Sequence, residues 1–208
     1  TDSSLISWKE DFNMAYMSPV PSQKLALKYL NTIMWETPGN IYVGGHSKGG
    51  NLAIYSSIHT FFFNKWRIKK IFSHDGPGFT KEVYNGLNYQ KIKDKISKTV
   101  PTSSIVGMLM YSREFYKVVK SKSFGIMQHS QLTWLVKNSD FDYAKDTSWD
   151  SKYIDKTISD WLNDIPDKQK ELFVNTMYGI LSTQNFDDID IAKNNWWNIY
   201  KTIKLGTN

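Results

Sequence analysis

Leu27, Leu30, Ile33 and Met34 recur at helical spacing, and that spacing predicts an amphipathic helix over residues 22–35. Ser22 offers it a cap after the punctuation of Pro19 and Pro21, and the run Thr37-Pro38-Gly39-Asn40 stops it. The β-branched and aromatic run "IYVGG", residues 41–45, predicts a buried strand. Helical periodicity returns from Lys48 to about His59, and "IKKIFSH", residues 68–74, predicts a second buried strand. Residues 80–97 read as a helix polar on one side, "TVPTSSIVGMLM" as a strand end, a proline turn and an apolar segment, and 115–122 as a third strand. A loop carries "GIMQHSQLTW". After about residue 147 the character changes to three helical stretches beginning at Ser148, Asp167 and Asp188.

Strands alternating with helices predict an α/β fold, a mostly parallel sheet with flanking helices and a helical C-terminal segment. Residues 1–146 form the core on this reading, and residues 147–208 pack on it or cap it. Such a sheet presents ligands at the carboxyl ends of its strands.

Composition narrows the chemistry. There is no cysteine among the 208 residues, which excludes disulfides, thiolate metal sites and a cysteine nucleophile. That absence fits a reducing compartment, and a cytoplasmic location is expected. No run approaches the roughly 18 apolar residues of a membrane span, and no secretory signal pattern is read at the start. The four histidines are scattered, without the helical spacing of a zinc site, and no phosphate-loop or dinucleotide fingerprint appears. No metal or cofactor is expected.

The net charge of +6 is spread along the chain. Its densest cluster is "NKWRIKKIF", residues 64–72. The preferred reading is a solvated helix-to-strand connection. The alternative is a peripheral membrane contact in which Trp66 and Phe61 to Phe63 touch lipid. No nucleic-acid signature accompanies the charge, so no nucleic-acid partner is expected.

The sharpest motif is "GGHSKGG", residues 44–50. A Gly-x-Ser-x-Gly match says little by itself; here a strand precedes it and a helix follows. A serine on so tight a turn sits on strained backbone, and Gly45 and Gly49 are expected to keep Cβ atoms out of it. The helix starting after Ser47 aims its N–H groups and positive end at the same spot. Ser47 is therefore the candidate nucleophile, and the Lys48 N–H a candidate oxyanion donor.

The segment "GGHSKGGNLA" resembles the nucleophile elbow of lipase-like α/β-hydrolases. With "TDSSLISWKEDFN", "DGPGF", "VPTSSIVGML" and "GIMQHSQLTW", the chain resembles an uncharacterised bacterial family related to the class 3 lipases, over residues 1 to about 136. In the class 3 pattern a strand precedes the Thr-rich start, so the resemblance implies a core that lacks its first strands. It also implies a second oxyanion donor at Thr1, with Asp2 beside it. Trp8 and Asp11 match a structural pair of that pattern, read here as a buried ring and a capping carboxylate.

A serine needs a base. The hydrolase order of serine, acid, histidine leaves only His129 late enough, and the resemblance places the family's histidine there too. His46 reads as packing behind the nucleophile, His59 as a helix-end residue, and His74 as either site edge or core. Asp75 follows the second strand and is the preferred acid; "DGPGF" looks like the acid-bearing turn of pancreatic-type lipases. The class 3 pattern puts its aspartate one strand later, where this chain has Ser103 and Ser104. Asp140 and Asp142 remain outsiders because they follow His129. Met108, Leu109 and Met110 fit core packing better than an acyl pocket.

The expected function is a serine hydrolase cleaving carboxylic esters with acyl-lipid or other apolar acyl substrates, through an acyl-enzyme on Ser47. The alternative is a catalytically inactive protein of the same fold that binds or scaffolds, at a membrane surface or elsewhere.

Overall fold

A computed structural model describes residues 9–11, 13–111, 115–149, 152, 153, 156, 157 and 164–183. Thr1, Asp2, Trp8 and the last of the three C-terminal helical stretches lie outside the described residues.

The architecture is α/β with a mostly parallel central sheet. Helix α1 (Pro21–Glu36) leads into β1 (Ile41–His46), then α2 (Lys48–His59), the short α3 (Phe62–Lys65) and β2 (Ile68–His74). Two short helices, α4 (Lys81–Asn85) and α5 (Leu87–Gln90), precede β3 (Ile96–Pro101), and β4 (Tyr116–Val119) follows. The small strands β5 (Val136–Lys137), β6 (Asp140–Phe141) and β7 (Tyr143–Ala144) come next, then helix α6 (Asp167–Thr183). The main sheet has the order β1-β2-β3-β4-β7, with β1 to β4 parallel and β7 antiparallel. β5 and β6 form a separate hairpin.

The predicted elements around the elbow hold to within a residue or two. Three readings change. The helix expected over 80–97 divides into α4 and α5 at Gly86, and β3 begins at Ile96. β3 was hard to read because it buries polar residues, Lys98 and Thr99, where a central strand usually shows an apolar run. Ser22 does not cap α1. Val20 is the capping residue, its N–H donated to Gln23 Oε1 at 3.0 Å, with Pro21 at the first helical position.

The core lies between the sheet and its helices, where Leu30, Met34, Ile54, Ile58, Ile68, Ile71, Phe79, Tyr89 and Ile92 pack together. Gln23 is buried within the fold as well. Its Nε2 donates to Asn51 Oδ1 at 2.8 Å, and Asn51 Nδ2 donates to the Gly78 carbonyl at 2.7 Å. This chain of bonds ties α1 to α2, and α2 to the loop after β2. No helix among the described residues is long and apolar enough to cross a membrane. In α6, Val174 is buried. Burial, with the charge of Glu171 in α6, raises the pKa of Tyr16.

Candidate active site

β1 and β2 run parallel in register, with Gly45 beside Ser73 and His46 beside His74. The next residues, Ser47 and Asp75, leave the carboxyl edge side by side. The Ser47 N–H donates to the His74 carbonyl at 2.9 Å, and the Asp75 N–H to the Thr99 carbonyl at 2.7 Å. Both turn sharply, Ser47 at φ 57° and ψ −132°, Asp75 at φ 49°. Positive φ costs a non-glycine residue about 1–3 kcal/mol and tends to gather at functional sites.

Glycine makes the turn at Ser47 possible, at positions partly different from those expected. A Cβ on Gly45 would lie 2.3 Å from the Gly49 carbonyl carbon. A Cβ on Gly50 would lie 2.6 Å from Ser73 Oγ, and one on Gly49 would meet nothing within 4 Å. The tight pair is therefore Gly45 and Gly50. Gly49 supplies the backbone against which Gly45 packs, while its own Cβ position faces open space.

Asp75 is wholly buried, and three donors converge on its carboxylate. Ser104 Oγ and the Gly107 N–H (3.1 Å) donate to Oδ1, and His129 Nδ1 donates to Oδ2 at 2.7 Å. An acceptor-only ionised carboxylate satisfies that set. Gly107 permits the approach: a Cβ there would lie 2.3 Å from Asp75 Oδ1. With Nδ1–H committed to Asp75, the neutral His129 ring keeps its lone pair on Nε2.

The segment carrying His129 is held from several sides. Gln128 Oε1 accepts from Thr102 Oγ1 and the Ser103 N–H, each at 2.9 Å, and its Nε2 donates to the Ser123 carbonyl. Trp134 Nε1 donates to the Gln128 carbonyl at 2.8 Å. His46 Nε2–H donates to the carbonyl of His129 itself at 2.7 Å, and the two rings lie 4.6 Å apart. His46, read from sequence as packing, thus ties the residue before the serine to the histidine 83 positions later.

Asp75 and His129 are in contact, and both stand at the sheet edge with Ser47. Among the described residues no hydrogen bond joins the Ser47 hydroxyl to the His129 ring; such contacts are often long until substrate binds. Lys48 starts α2, so its N–H sits at the helix N-terminus. Its buried ammonium turns away, 2.9 Å from Glu10 Oε2 and 2.7 Å from Asp11 Oδ1. Asp11 therefore pairs with Lys48 and is not the capping carboxylate expected. Burial works to raise both acids. In Glu10 it is outweighed by the Ser22 N–H and Lys48, and the pKa falls; in Asp11 it prevails, and the pKa rises.

Asp140 and Asp142 lie elsewhere: Asp140 accepts from the Phe141 N–H and Tyr143 Oη, and Asp142 pairs with Lys120. Met108, Leu109 and Met110 are half-buried beside Gly107 and are not among the core residues, so the core reading gives way. The second oxyanion donor, expected at Thr1, falls outside the described residues.

His74 sits at the end of β2 among Phe72, Trp134 and Phe141, and its Nδ1 is buried without a partner. Burial lowers the pKa of His46, His59 and His74. Their folded pKa values lie below the unfolded value of about 6.5. The unfolded chain therefore takes up protons first as pH falls through that value, and stability is lost. The melting temperature is expected to fall between pH 7 and pH 5, and His74→Phe to flatten that fall. Melts of both proteins across this range check it; unchanged slopes would count against the assignment.

The fold and this cluster define an α/β protein that sets a strained serine and a histidine–aspartate pair at the carboxyl edge of a parallel sheet. The Mbeg1-like family model matches residues 1–179, and the chain belongs to the Mbeg1-like family. That is not a class 3 lipase family, so the kinship expected from the motifs is corrected. The departure has a physical counterpart: where the class 3 pattern would put its acid, Ser104 donates a hydrogen bond to Asp75. Comparison with curated proteins and with solved structures gives no match.

Proposed function

We propose that the protein is a serine hydrolase with an α/β-hydrolase-like core, cleaving carboxylic esters that carry an apolar acyl group. The observation that carries this reading is the buried Asp75–His129 pair at the sheet edge where Ser47 turns at positive φ. The order in the chain supports it: serine, acid and histidine follow three parallel strands, β1, β2 and β4. In this mechanism Ser47 Oγ attacks the ester carbonyl and His129 Nε2 takes its proton. The Lys48 N–H, at the positive end of α2, faces the oxyanion. The imidazolium, steadied by Asp75, returns the proton to the leaving alcohol, and water then releases the acid from Ser47. Two groups of residues suit an apolar acyl chain: Met108, Leu109 and Met110 next to Gly107, and exposed Phe124, Met127 and Leu132 around His129.

The test is a fluorophosphonate probe followed by peptide mass mapping. An adduct on Ser47 is expected. A folded protein that gives none would end the proposal. It would favour the second reading, an inactive binding protein, which the unjoined Ser47 hydroxyl also fits.

A further inference from the structure

At the opposite edge of the sheet, where the parallel strands begin, large rings stand in solvent. Phe61, Phe62, Phe63 and Trp66 are 66%, 75%, 81% and 66% exposed, and Trp35, at the end of α1, is 89% exposed. The topology gathers them. α1 and α2 both end here, β1 and β2 both start here, and the Ile41 N–H bonds the Arg67 carbonyl at 2.8 Å. Trp35 and Phe61 line one shallow groove together with Lys28, Asn31, Thr32 and Glu36.

Cations surround the rings. From His59 to Ser73 the chain has no acidic residue. Arg67 is already committed to the carbonyls of Met34, Thr37 and Gly39 at the end of α1. Lys69 and Lys70 face outward. β1 and β2 shift register between Ile41 and Tyr42, so Ile68 and Lys70 are paired and Lys69 is extra. That bulge exposes two consecutive lysines, where a regular strand would turn one of them inward. Lys69 Nζ lies 5.8 Å from the Trp66 ring centre. Lys65, half-buried, and Lys91, exposed, stand close enough that the charge of Lys91 adds to burial in lowering the pKa of Lys65.

We propose that this edge, Phe61 to Phe63 and Trp66 with Lys65, Lys69 and Lys70, docks the protein on an anionic lipid bilayer. Protruding rings enter the interface between headgroups and chains, and lysines beside them meet the negative surface. A protein partner usually meets an apolar core with few charges, whereas lysine interleaves these rings. Bases stack on open ring faces, but the edge-to-face Phe62–Phe63 pair, ring centres 5.7 Å apart, already covers one of those faces. The inference does not depend on the hydrolase reading. It does fix an orientation: strands of about 20 Å separate this edge from Ser47, so a docked molecule turns Ser47 toward water.

The experiment is flotation with phosphatidylcholine vesicles, with and without about one third phosphatidylserine, at low and high salt. Binding is expected on the anionic vesicles, at least roughly tenfold weaker on neutral ones and at high salt. Two variants should each lose roughly tenfold or more: Phe62→Ser with Phe63→Ser and Trp66→Ser, and Lys69→Glu with Lys70→Glu. The second set leaves every ring in place, so it decides the matter if the first misfolds. Phe124→Ser with Leu132→Ser, at the Ser47 edge, should bind as the parent does. No flotation, equal binding to neutral vesicles, or loss only in the Phe124 and Leu132 variant would overturn the proposal. So would displacement by single-stranded RNA, or ring-dependent self-association in place of vesicle binding.

Discussion

Ser47→Ala is expected to abolish the fluorophosphonate adduct and to lower ester turnover by about 10⁴-fold to 10⁶-fold, with the fold intact. Removing one half-buried hydroxyl leaves the Ser47 backbone bonds to His74 and Gly50 in place. Asp75→Asn should lower turnover by about 10⁴-fold for a different reason. The remaining oxygen is held by Ser104 Oγ and the Gly107 N–H, so the new amide must face His129. Two donors then oppose each other unless His129 moves its proton to Nε2, and the base is lost. The stability penalty should be only about 1–3 kcal/mol, because one side of the carboxyl keeps its partners. Initial rates on a short-chain nitrophenyl ester, beside melting curves, check both variants. Full activity in Asp75→Asn would remove Asp75 from the mechanism and leave Ser47 to be judged alone.

Gly45→Ala and Gly49→Ala should move stability in opposite directions, although both residues belong to one motif. A methyl group at position 45 would come within 2.3 Å of the Gly49 carbonyl carbon and 2.4 Å of its oxygen. Both neighbours are backbone in the first turn of α2, so relief requires the helix to move off the strand. A loss of about 3 kcal/mol or more follows, lowering the melting temperature by about 6–12 °C at this chain length. At Gly49 the methyl group meets open space, and alanine exceeds glycine in a helix by about 0.5–1 kcal/mol. A rise of about 1–4 °C is expected there. Paired melts decide it; equal destabilisation would mean that the elbow packs differently.

The elbow was legible because its signals are local. A β-branched run, small residues and a renewed helical period all lie between residues 41 and 59, and each depends on backbone sterics within a few residues. Asp75 and His129 could be nominated by their place after strands. The four hydrogen-bonding groups that hold them could not: Ser104, Gly107, Gln128 and the ring of His46 act across gaps of 25 to 83 positions. Asn51 is similar: in the sequence it is one more polar residue in a helix, and in the structure it binds the loop that carries Asp75 to α2. Lys48 was only half legible. Its backbone position suggested the oxyanion role, while nothing local announced that its side chain would be buried against Glu10 and Asp11.

The sequence alone determined the α/β class, the strand–Ser47–helix turn and the absence of thiol chemistry, because each follows from residue type and short-range periodicity. Tertiary structure alone decided that Asp75 meets His129, that His46 holds the loop of His129, and that the rings from Phe61 to Trp66 stand in solvent. Hydrogen bonds and burial depend on which distant segments arrive beside one another, and parallel strand register, not any local preference, sets that.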